Sequence, residues 1–99
     1  MTIVDQNIKK IQTLCDTHRV SRLYVFGSAL TPRFSQHSDV DFVVDFKQMP
    51  LEDYADNYMN LHDALEQLLG RDIDLLEERG IRNRSLYANI SRTRKQIYG

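Results

Sequence analysis

Residues 39–46 read Asp-Val-Asp-Phe-Val-Val-Asp-Phe, a near-perfect two-residue alternation of the kind a β-strand produces. Successive side chains of a strand point to opposite faces, so Val40, Phe42 and Val44 share one face and Asp39, Asp41, Val43 and Asp45 the other. The first face is predicted to be core and the second to open onto something polar. Every other element has to supply cover for the apolar side. Val4, Ile8, Ile11, Leu14 and Cys15 recur at helical spacing, and Thr2 with Asp5 resembles a capping box, so an amphipathic helix comes first. The run RLYVF, ending at Gly27, reads as a short buried strand, and ALTPRFSQHS as a turn-rich segment with at most one or two helical turns. Pro50, Glu52 and Asp53 suit the first turn of a long helix whose stripe (Tyr54, Tyr58, Leu61, Leu65, Leu68, Leu69) runs to Gly70, a natural C-cap. RDIDLLEE follows as a third strand, and Asn83 or Ser85 opens a last helix carrying Leu86, Ile90 and Ile97 inward. The expected fold class is α+β, with a small mixed sheet of about three strands flanked by helices, in a single domain spanning residues 1–99.

A domain of 99 residues buries a modest core. A homo- or hetero-oligomeric partner would help it. With 13 basic and 14 acidic residues the net charge is -1, so no overall field gathers nucleic acid or an anionic membrane, and nucleic acid is not expected as a direct ligand. An anionic ligand has to be caught locally. Cys15 is the single cysteine, which excludes an internal disulfide and a cysteine zinc site. Neither a signal peptide nor a long apolar run is present, and the expectation is a soluble, cytoplasmic protein.

Asp39 and Asp41 stand on one strand face with one pleat between them, and each raises the other's pKa unless a cation joins them. Magnesium, with its oxygen ligands and its preference for phosphate, removes that cost. A lone D-x-D is also compatible with the solvent side of an edge strand. A calcium loop does not fit, because Val40, Phe42 and Val43 interleave where further oxygen ligands and a glycine are needed. Gly27 and Ser28 add a second ingredient: glycine allows close backbone approach, and a serine hydroxyl beside free amides at a helix start makes a phosphate site. The third is Asp74, opposite in face to Ile73 and Leu75. If its strand pairs beside the D-x-D strand, three carboxylates converge, as two-metal nucleotidyl transfer requires, and Asp74 becomes the candidate for removing the attacking hydroxyl's proton. Asp72 shares its parity but borders Gly70 and Arg71 at the strand's mouth, so Asp74 is preferred.

Taken together, FGSALTPRFSQHSDVDFVVDF and the later GRDIDLL resemble the signature of the minimal nucleotidyltransferases of the DNA polymerase beta superfamily, over the whole chain. The resemblance implies that family's fold and a magnesium-dependent transfer, with two ions, of a nucleotidyl group, AMP from ATP. It implies metal ligation by Asp39 and Asp41, completion of the site by Asp74, and a triphosphate held at Gly27 and Ser28. Many such proteins are antitoxins paired with a HEPN-domain toxin ribonuclease, so a HEPN-type partner bearing the acceptor hydroxyl is expected. The alternative is a catalytically weak module that neutralises its partner by binding alone. One departure from the pattern concerns Thr31 and Pro32, which stand where the family often has arginine and glycine. Arg33, displaced two positions, is the remaining candidate for a phosphate contact. His18, His37 and His62 show no ligand spacing, and Tyr54 and Tyr58 belong to the apolar stripe. Arg79, Arg82, Arg84, Arg92, Arg94 and Lys95 make the C-terminal part basic, most often a solvated helix face, and otherwise a surface for an acidic partner or RNA.

Overall fold

Two short helices, α1 (Ile3–Gln6) and α2 (Ile8–Thr17), precede strand β1 (Val20–Phe26) in the computed structural model, which describes residues 3–32, 34, 35 and 38–99. A single 3-10 turn (Gly27–Leu30) leads towards β2 (Val40–Phe46), followed by helix α3 (Leu51–Leu69), β3 (Ile73–Glu77), helix α4 (Arg84–Thr93) and β4 (Lys95–Tyr98). The predicted first helix is interrupted at Asn7, whose amide side chain donates to the Ile3 carbonyl at 2.8 Å. Thr2, the other half of the expected capping box, lies outside the described residues.

The sheet is mixed, in the order β3-β2-β1-β4. β1 pairs antiparallel with both β2 and β4, whereas β2 and β3 run parallel and are joined by the crossover through α3. Gly70 ends α3 in the left-handed region, at φ 65°, and turns the chain back into β3. One sheet face, carrying Leu23, Val25, Val40, Phe42 and Val44, is fully covered by Ile11 and Cys15 of α2 and by Leu61, Leu65 and Leu69 of α3. Burial pushes the Cys15 thiol up to about 12, so it is an inert packing group. Among the described residues no helix is long and apolar enough to cross a membrane.

The opposite face differs from expectation. Val43, which shares the parity of the aspartates, is wholly buried, because Ile90 of α4 seals it together with Tyr24 into a second small core flanked by Phe26, Leu76 and Ile81. Asp45 is buried too, held by Arg22 Nη2 at 3.0 Å and Arg79 Nε at 3.4 Å. The face therefore stays open and acidic at one end only. The last helix is also shorter than predicted. Asn83 caps it as expected, its side chain accepting from the Leu86 amide at 3.0 Å, but the helix stops at Thr93 and Ile97 reaches the main core from strand β4, which the sequence reading lacked. Leu86, expected inward, is 43% exposed.

Candidate functional site

Asp41 lies in the centre of the open end. In the β1–β2 ladder it is the partner of Phe26, the last residue of β1, and in the parallel β2–β3 ladder it is the partner of Asp74. Registered neighbours in adjacent strands share a face at about 5 Å, so the carboxylates of Asp41 and Asp74 project side by side. Asp39, just before β2, has the same parity and is exposed, as is Asp74, while Asp41 is half-buried between them. Burial raises the Asp41 pKa above the usual carboxylate range, and the charges of Asp74 and Asp39 raise it further. Asp72 stays at the mouth of β3, its carbonyl accepting from the Val40 amide at 3.3 Å.

Gly27 closes the site from the β1 side. It stands at φ 75°, and a Cβ placed on it would come within 2.6 Å of Asp41 Oδ2. Only a residue without a side chain both adopts that backbone and lets the carboxylate rest against it. Ser28, half-buried beside it, accepts the Thr31 amide on its carbonyl at 3.0 Å. The turn these residues open is a single 3-10 turn, in keeping with the one or two helical turns expected here, and it offers close backbone approach. Arg33, the expected phosphate contact, lies outside the described residues, as does His37.

Two features escaped the sequence reading. Arg71, quoted there only within GRDIDLL, donates from Nη1 to the carbonyls of Ser35 and Ser38, each at 3.0 Å, and its guanidinium carbon lies 4.7 Å above the Phe34 ring centre. No spacing rule links these positions, because the contact depends on the β2–β3 pairing. The second is a grouping of ligand-type atoms on α3, where His62, Asp63 and Glu66 come within 4.8 Å of one another. They are helix neighbours on a solvated surface, a common arrangement without an ion. Asp39, Asp41 and Asp74 are not gathered that tightly.

The raised pKa gives a testable pH dependence. The folded Asp41 value exceeds the unfolded one, so the group's contribution to stability is fully present below the ordinary carboxylate pKa, about 4, and is lost as the pH rises through the raised value. In metal-free thermal melts from about pH 3.5 to about pH 7, Asp41→Asn should gain on the wild type as the pH rises. A difference that stays constant with pH would show that Asp41 is uncoupled from its neighbours.

A mixed sheet carrying a Gly-Ser turn against paired aspartates has the architecture of a nucleotidyltransferase. A solved structure described as a minimal nucleotidyltransferase superposes with TM-score 0.79 at 28% identity, covering 96% of this chain and 95% of that one. The chain belongs to the polymerase beta nucleotidyltransferase family, which it matches over residues 9–99. Among its relatives, the protein adenylyltransferase MntA of Thermococcus cleftensis is 29% identical, over 92% of this chain and 94% of its own length. In fold alone, the chain also resembles a chain of the complex between a tri-AMPylated HEPN toxin and an MNT antitoxin from Shewanella oneidensis, with TM-score 0.67 at 22% identity and coverage of 96% of this chain and 71% of that one.

Proposed function

We propose that this nucleotidyltransferase moves AMP from ATP onto a hydroxyl of a partner protein, and that it serves as the antitoxin of a HEPN-type toxin in the cytoplasm. The observation that carries this reading is the parallel register of Asp41 with Asp74, beside Asp39 and against Gly27. The naming of the Thermococcus relative as a protein adenylyltransferase supports the choice of a protein acceptor, and the Shewanella complex supports the choice of toxin.

The donor set fits magnesium. Among the described residues it consists of the carboxylate oxygens of Asp39, Asp41 and Asp74, which suit a hard cation. Asp39 and Asp41 would hold the ions, with Asp74 completing the set. Bound Mg2+, two ions in this reading, supplies charge neutralisation on the triphosphate. The chain's own groups do the rest. Gly27 and Ser28 receive the triphosphate, and Asp74 accepts the proton of the acceptor hydroxyl as its oxygen bonds to the α-phosphorus. The bond from that phosphorus to the bridging oxygen breaks, and pyrophosphate leaves with the electron pair. In this reading the partner brings the acceptor hydroxyl. Leu86 and Tyr87, 43% and 40% exposed on α4, lie on the same side of the sheet as the carboxylates and offer it an apolar foothold.

The test is incubation with α-labelled ATP, Mg2+ and the product of the neighbouring gene. Label should appear on the partner with the wild type and vanish with Asp41→Asn. A partner silenced equally well by both, with no label on either, would replace this reading with neutralisation by contact.

A further inference from the structure

The approach to Asp39 is fixed from the other side of the site. Ser35 and Ser38 are joined by two hydrogen bonds: the Ser38 amide donates to the Ser35 carbonyl at 3.2 Å, and the Ser35 amide to Ser38 Oγ at 3.1 Å. Arg71 donates to both carbonyls, and its guanidinium carbon lies over the Phe34 ring. The Ser38 carbonyl belongs to the peptide unit that continues into Asp39. At its other end, Arg71 follows the left-handed Gly70 cap of α3 and precedes Asp72, whose carbonyl receives the first rung of the parallel ladder from Val40. One side chain thus ties the segment that delivers Asp39 to the segment that delivers Asp74.

We infer that Arg71 is a positioning residue that sets the direction of the Asp39 carboxylate relative to Asp41 and Asp74, and so governs divalent-cation affinity without touching the cation. The inference rests on the metal-dependent reading above. Asp39 is exposed at the entrance of β2, where a fixed backbone limits the directions its carboxylate can take. A guanidinium suits the task because it can stack on a ring and donate to two carbonyls together. A lysine ammonium could keep the donations but not the plane.

The experiment is Mn2+ binding to the purified protein, followed by loss of the free-ion paramagnetic signal, with thermal melts alongside. Asp39→Asn should bind weakly or not at all. Arg71→Met should lose about tenfold in affinity, as is usual when a group supporting a ligand is removed. Arg71→Lys should fall between that variant and wild type, and Phe34→Leu, which removes the stacking partner, should also weaken binding. Wild-type affinity in a folded Arg71→Met overturns the inference alone. If Arg71→Met does not fold, unchanged affinity in both Arg71→Lys and Phe34→Leu overturns it equally. A wild type that binds no Mn2+, with or without a non-hydrolysable ATP analogue, overturns the metal-dependent reading together with this one.

Discussion

Asp41→Asn is expected to reduce adenylyl transfer by about a thousandfold or more while leaving the melting temperature equal to or above that of the wild type. The two effects diverge for one reason. Asp41 is the half-buried carboxylate flanked by both others, so it is central to any shared cation and also the group whose charge burial and then its neighbours disfavour. Losing a metal ligand forfeits several kcal/mol of transition-state stabilisation, and about 4 kcal/mol is a thousandfold in rate. Asparagine keeps the shape against Gly27 and removes the charge, which relieves the metal-free protein. Initial rates of label transfer and a melt on the same preparation check both limbs. Retention of more than about a tenth of the wild-type rate would remove Asp41 from the metal site and with it the proposed chemistry.

Gly27→Ala should damage stability and activity together. At φ 75° an alanine costs about 1–2 kcal/mol from the left-handed backbone alone. In a chain of this size that lowers the melting temperature by about 4–8 °C for each kcal/mol. The new Cβ would also stand 2.6 Å from Asp41 Oδ2, a distance that no relaxed structure tolerates. The carboxylate is the softer party and gives way, which displaces the central member of the three aspartates. Transfer should therefore fall by about a hundredfold or more, beyond what the lost stability explains, when measured well below the variant's melting point. A variant that melts early yet transfers at the wild-type rate when cold would separate Gly27 from the site.

The positions of the three carboxylates were readable because each depends on a short-range rule. A strand's two-residue period puts Asp39 and Asp41 on one face and sets Asp74 opposite Ile73 and Leu75. A strand–helix–strand crossover then favours the parallel pairing that joins them. What stayed hidden depends on packing between distant segments. Val43 has the aspartates' parity and was assigned to the polar face, but burial there is decided by Ile90 from a later helix. Ile97 lies seven residues after Ile90 and so reads as the next turns of the same helix. The chain instead turns extended at Arg94, whose side chain is drawn to Glu78 at 2.9 Å and over the Tyr24 ring at 3.9 Å, and the residues beyond pair with β1 as a fourth strand. Arg71 sits in the matched motif, yet its partners Ser35 and Ser38 are reached only once β2 and β3 are adjacent.

That adjacency has a kinetic consequence. The N-terminal portion through β2 carries the Gly-Ser turn and the first two aspartates, but the third arrives only after the 19-residue helix α3 has crossed over and β3 has docked in parallel. Parallel pairing across such a loop is among the slower steps a small chain takes, because the loop must close before any contact rewards it. On the proposed chemistry, competence to react appears late in maturation, because a nascent or clipped chain without β3 lacks the third carboxylate.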